Sequence, residues 1–395
     1  MCSPHPALAA ALAREHLRTA GDLRLRTALG LDPGRPVVAT GHQPEFFHAG
    51  VWFRLFLIDE MARREGLQAI FVVVDSDRCR RSARIPCLSE GCTRARDIEL
   101  EPPLDVPSEC APAPSPAAWE RFVDGIEGCL GQSTGRLRSA GREALRGASD
   151  DAAFHMRLRQ ALEPESPRRE VRLSELCRSS EFREFSARLA GNRFREAYNR
   201  AVRGSGHRPV RSLEAGELPL WRLEGVRRVP ARKLAGELRP RALALTMFLR
   251  LYLCDLFLHG TGGLAYEAVN DALLRDFLSV PSAPVAVASA TLAPGLGRRP
   301  PEVVRSDLRR VSSAPEAFLD DPELARLRAE LRSAPRARRA LLHRRLAQLD
   351  PAARLEPVRL RLESELADSR AAWRRDYAYF IHRAPQLQEL AEGTW

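Results

Sequence analysis

The sequence predicts an α/β fold: a Rossmann-like parallel sheet with helical connecting segments and a C-terminal helical hairpin of coiled-coil type. Three observations predict it. The runs "VVAT" and "AIFVVVDSD" are apolar along their length, as strands buried on both faces are. Between them, "VWFRLFLIDEMARREG" has the length and spacing of a mostly buried helix, with Val51, Phe53, Leu55, Phe56, Ile58 and Met61 apolar. Beyond Pro315 the chain becomes heptad-like in Leu and Ala, broken at Asp350-Pro351.

In chain order, residues 1–35 read as a helical lead-in closed by the turn "LDPGRP". A strand, the loop "GHQPEFFHAG", a helix ending at Gly66 and a second strand then form a βαβ unit. Residues 101–118 are rich in Pro, Ser and Ala and read as a linker or an excursion. Residues 119–205 read as helices, with breaks at "GQSTG" and "EPESPRR". Residues 206–240 are irregular, with "LPLWRLEG" and "RRVPA" as short strands. An apolar helix is expected from about Ala242 to Leu258. It breaks at "HGTGG" and resumes as "LAYEAVNDALLRDFL". "PVAVASATL" reads as a further strand. The chain thus divides into a first half of the core (1–105), a helical connecting region (106–238), a second half of the core (239–314) and a helical hairpin (315–395) turning near Asp350.

Composition narrows the function classes. A chain of 395 residues, 44% hydrophobic, is long enough for two or three domains and a real core. Arg14, His16 and Arg18 interrupt any secretory signal, and Arg250 and Asp255 interrupt the most apolar stretch. A cytoplasmic protein without a membrane partner is expected. The net charge of +11 comes from Arg, since Lys233 is the only lysine. Those Arg residues are spread along the chain among acids, as in a GC-rich coding bias, which argues against nucleic acid as the partner. Cys79, Cys87 and Cys92 cluster but lack the close pairs of a zinc ribbon, so free thiols are expected and no metal site is assigned.

Three clusters carry the candidate chemistry. Ligands of a doubly wound sheet bind beyond the carboxyl ends of its strands, where the first loop lies. Gly41 and Gly50 permit close backbone approach, His42 and His48 can act as acid and base or donate to an anion, and Gln43 hydrogen-bonds without charge. The second cluster is "VVVDSDRCRRSARIP". Asp75 and Asp77 follow a strand and suit a ribose, an amine or magnesium, and Arg81 suits a phosphate or carboxylate. In the third, Arg239 and Arg241 precede a helix carrying Thr246. His259, Gly260, Gly262 and Gly263 then form a glycine loop ahead of Tyr266 and Asp271. Two Gly/His loops feeding helix N-termini suggest one anion site, so both loops should line one cleft. Phe46, Phe47 and Trp52 are read as packing. No phosphate-loop or HExxH motif is present, and no GxSxG or GxGxxG follows a strand.

These residues resemble a known family. "TGHQPEFFHAG" is similar to the "TGQQ…LF…GP" signature of bacillithiol synthase, the cysteine-adding ligase. "HGTGGLAYEAVNDAL" is similar to its later "GGxGExAYW" motif. The likeness covers mainly residues 36–90 and 239–290. His42 replaces a family Gln and Gly263 a family Glu. The resemblance implies a nucleotidyltransferase-like Rossmann core, a C-terminal coiled coil and a ligase or transferase acting on a small anionic substrate. His42, His48 and Asp75 would be catalytic, and the cofactor is left open, a nucleotide being the candidate. The "HQPEFF…G…DSD" run also resembles WbqC-like proteins of glycan gene clusters, over the first 90 residues only. The alternative reading is therefore a non-catalytic protein whose hairpin serves oligomerisation, such as a homodimer through the C-terminal helices, or docking.

Overall fold

The computed structural model describes residues 1–19, 23–89, 91–204 and 210–395. The parts of the expected lead-in at 20–22 and of the irregular stretch at 206–209 lie outside the described residues. In chain order the strands are β1 (Cys2–Ser3), β2 (Val37–His42), β3 (Gln68–Val73), β4 (Ser82–Ser89), β5 (Cys92–Glu99) and β6 (Arg169–Arg172). They continue as β7 (Leu220–Glu224), β8 (Arg227–Pro230), β9 (Leu238–Pro240), β10 (Leu256–His259) and β11 (Val285–Ala288).

The fold is α/β around a mixed, mostly parallel sheet of order β1-β11-β10-β2-β3-β6, in which only β1 is antiparallel to its neighbour. The expected βαβ unit is present. β2 and β3 pair in parallel from Val37 opposite Gln68 to His42 opposite Val73, joined by the Ala49–Glu65 helix. That helix stops at Gly66, which adopts the left-handed conformation (φ 66°) that glycine tolerates best. Alternation along the strands fills two cores. Val38, Phe71 and Leu258 pack on the side of the Ala49–Glu65 helix, whereas Val37, Val72 and Phe257 pack on the side of the Ala242–Tyr252 helix. The sheet is therefore covered on both faces, which is why its strands read as unbroken apolar runs.

The structure differs from the sequence reading in one instructive place. The apolar run after Ala242 is not one helix to Leu258: it ends at Tyr252, and "LFLH" becomes β10, between β11 and β2. Asp255 makes the break. Its buried carboxylate accepts from Arg26 (2.7 and 3.0 Å) and from the Val37 amide (2.8 Å), and lies 2.8 Å from His16 Nδ1. The loop "HGTGG" consequently follows a parallel strand adjacent to β2. β1, β6 and the β4–β5 hairpin are further strands absent from the sequence reading, short or charged segments without an apolar period. The strands expected in "LPLWRLEG" and "RRVPA" are β7 and β8, which form a small antiparallel sheet with β9.

The C-terminal turn lies at Asp350, which caps the Pro351–Ala372 helix, but the arms pair differently from a simple hairpin. The Pro322–Ser333 and Arg336–Gln348 helices pack on each other through Leu324, Leu327, Leu342 and Leu346. The Pro351–Ala372 helix returns to the Pro301–Ser313 helix, burying Val304, Val311, Leu355 and Leu362. The end of the chain then rejoins the core. Ala378 bridges to His48, and the Tyr379 amide donates to Phe47 O (2.7 Å). No helix among the described residues is long and apolar enough to cross a membrane.

Candidate functional site

The carboxyl ends of β2 and β10 open into a cavity of about 950 Å³, and both glycine loops line it. Gly41, His42, Gln43, His48 and Gly50 form one wall. His259, Gly260, Gly262, Gly263 and Tyr266 form the adjacent one. Arg241 and Thr246 come from the start of the Ala242–Tyr252 helix. The first turns of three helices, beginning at Ala49, Ala242 and Leu264, thus meet one space. Such ends carry free amides and partial positive charge.

Two glycines are required by close contacts. A Cβ on Gly50 would stand 2.7 Å from the Ala290 carbonyl oxygen, and one on Gly263 would overlap the His259 ring at 1.6 Å. The second contact locks the two ends of the later loop together.

The histidines present different faces. His42 Nδ1 lies 3.2 Å from the Gln43 carbonyl, so Nδ1 carries the proton and Nε2 is left as an acceptor. His48 is the N-cap: its Nδ1 accepts from the Gly50 amide (3.0 Å), which puts the proton on Nε2. His259 Nδ1 likewise accepts from the Gly260 amide (3.1 Å), and its Nε2 faces Glu267 Oε1 at 3.5 Å. Burial, reinforced by the Arg54 charge, holds His42 down at about 3 and His259 at about 4. His48 is lowered by burial and by Arg375 and Arg54. All three rings are neutral near pH 7.

The opposite wall comes from the small sheet. Arg241 stacks over Trp221, 4.3 Å from the ring centre, and pairs with Glu217 at 2.5 Å. Arg228 lies over the same ring at 5.2 Å and pairs with Asp77 at 2.8 Å. Gln43 Nε2 donates to Asp77 Oδ2 (2.9 Å), tying the first loop to this wall. Burial opposes the charge on Asp77, but the bonds from Gln43 and Arg228 hold its pKa below the ordinary value.

Four expected residues lie elsewhere. Asp75 is fully buried and turned inward, where it accepts from Arg172 Nε (2.6 Å), Ser174 N (2.9 Å) and Ser174 Oγ (2.6 Å). Both aspartates lie in the turn beyond β3, which ends at Val73, and as the chain turns there Asp77 reaches the cavity and Asp75 does not. Arg81 is buried on Glu101, Asp151 and the Pro112 carbonyl. Arg239 forms a bidentate pair with Glu109 (2.8 and 2.6 Å). Asp271 is half exposed and pairs with Arg250 (2.8 Å). Conversely, the sequence reading missed Arg54, Tyr198, Glu217, Trp221 and Arg228 of the lining. Arg54 is hidden in "VWFRLF", where the pattern reads only as core. Phe46, Phe47 and Trp52 are core, as expected.

All eight cysteines are free, and no group of three or more His, Cys, Asp or Glu side chains among the described residues is placed to hold a metal ion. No protein-family model matches the chain, and no curated protein sequence matches it.

Proposed function

We propose that this cleft is the active site of a ligase or transferase that acts on a small anionic substrate, carried by a Rossmann-like, nucleotidyltransferase-type core. The observation behind the reading is the meeting of two Gly/His loops, more than 200 residues apart in sequence, at the ends of adjacent parallel strands. Three helix N-termini and a set of neutral histidines suit an anion whose charge grows during reaction. His42 Nε2 accepts a proton or hydrogen bond from the attacking group, and His48 Nε2–H donates to the developing oxyanion. The likeness of both loops to bacillithiol synthase points to cysteine-adding or related amide-forming chemistry. The phosphates of a nucleotide would fit the positive ends of the helices beginning at Ala49 and Leu264, and the nucleotide would supply activation of a carboxylate.

The reading is tested by screening nucleotides, cysteine and amino-sugar malates by thermal shift, then assaying turnover with the stabilising set. His42→Ala should lower kcat by roughly 10²–10⁴-fold with little change in Tm, the range typical of a lost acid–base group. Full activity in His42→Ala would reject the catalytic role. Absence of turnover in wild type with every stabilising set would favour the competing reading, a WbqC-like protein without catalysis. Homodimerisation through the C-terminal helices belongs to the same proposal. It is supported by Leu341 and Leu360, each more than half exposed on that arm.

A further inference from the structure

Arg54 lies in the second turn of the Ala49–Glu65 helix and is only 6% exposed. Among the described residues, every other deeply buried arginine has a carboxylate partner. Arg26 has Asp255, Arg81 has Glu101, Arg159 has Glu163, Arg168 has Asp59, Arg239 has Glu109 and Arg250 has Glu267. Arg54 has none among the described residues. Its one hydrogen bond goes from Nη1 to Thr40 Oγ1 (3.1 Å), and that hydroxyl donates in turn to Leu258 O (2.8 Å). A guanidinium has five N–H donors, so most of its donors are uncommitted.

The position of the group adds to this. Its carbon lies 3.6 Å from where a Cβ on Gly260 would be, and the side chain lines the cavity between the two loops. Burial without a counter-charge lowers its pKa to about 10, which still leaves it charged near neutral pH. A buried, unpaired cation is costly in a folded protein and persists where a ligand supplies the opposite charge.

We propose that Arg54 is the anchor of the cleft, binding a carboxylate or phosphate group of the ligand against the Gly260–Gly263 loop and the N-terminus of the Ala49–Glu65 helix. The inference rests on the cleft reading above and adds to it the residue and the group it takes. Arg54 is a planar fork suited to two oxygens at once, and glycine at 260 leaves room for them. The charge of such a ligand would also offset the field that Arg54 exerts on His42, raising the basicity of the ring when the ligand is in place.

Isothermal titration and thermal shift with inorganic phosphate and with succinate, on the full chain, test this. Wild type should be stabilised saturably by at least one, and which one separates phosphate from carboxylate recognition. Arg54→Gln should weaken that binding at least tenfold. Without ligand it should melt at the same temperature or higher, because an uncompensated charge has been removed. If Arg54→Gln does not fold, Arg54→Lys should fold and still bind at least tenfold more weakly, since a point charge replaces the fork. Wild type that responds to neither anion overturns the proposal, as does a variant with unchanged affinity or an Arg54→Gln protein that is markedly less stable yet binds normally. A loss of turnover in His42→Ala alongside any of these would leave the cleft standing and reject Arg54 alone.

Discussion

At the scale of single residues, the site depends on which side chains are spent on the fold and which are left over. Asp75 and Asp77 look equivalent in "DSD", yet one is consumed by Arg172 and Ser174 and the other faces the cavity. Arg54 is the reverse case, a cation that looks like an accident in an apolar helix and proves to be uncompensated. The sequence displayed the residue types and loop positions, but partnering is set by tertiary contacts that local pattern does not encode. The buried histidines make a testable prediction for acid stability. His42, His259 and His382 fall to about 3, 4 and 4 from an ordinary 6.5, chiefly through burial. In the folded chain they resist protonation, whereas the unfolded chain takes up protons below pH 6.5. Their contribution is therefore fully present above pH 6.5 and is lost as pH falls towards 4 and below. Denaturant melts at pH 7, 6 and 5 should show stability falling with pH. His382→Gln, remote from the cavity lining, should make that fall shallower; an unchanged slope would count against the assignment.

At the scale of elements, strands buried on both faces were legible because nothing interrupts their apolar runs. β2, β3 and β11 stand where the sequence places them. β10 was not legible as a strand because a short apolar run following a helix has no period of its own. Asp255, through Arg26, His16 and the Val37 amide, makes the distinction. The result strengthens the likeness between the loops, since each follows a parallel strand and opens a helix. The later loop also has a specific mechanical contact. Gly263→Ala should push the His259 ring aside and cost about 1–3 kcal/mol, as overpacking usually does. In a double-mutant cycle with His259→Ala the two costs should be well short of additive, because the clash disappears with the ring. Additive costs in chemical denaturation would show that the ring and the glycine do not meet.

At the scale of the whole molecule, the heptad-like pattern located the Asp350 turn but not the partners of its arms. The Pro351–Ala372 helix packs on the Pro301–Ser313 helix, and the final segment returns to close over the first loop at Phe47 and His48. A chain cut at Pro315 would lose those contacts. The separable piece is 322–349, whose flanks are held together by the Arg354–Asp321 pair (2.6 Å). Replacing it with a short Gly/Ser linker should leave the melting transition of the sheet within a few degrees of wild type. Light scattering on the same protein reads its contribution to oligomerisation, and loss of the core transition would show that the piece is needed for the fold. The two glycine loops, at the centre of the molecule's sheet edge, are proposed to hold a small anion between them, and this binding can be measured. Calorimetric titration of wild type, Arg54→Gln and Gly263→Ala with the best anion from the thermal-shift screen measures it. Wild type should show one saturable site, and both variants should bind at least tenfold more weakly. Equal affinity in all three proteins would place the anion elsewhere and contradict the proposal.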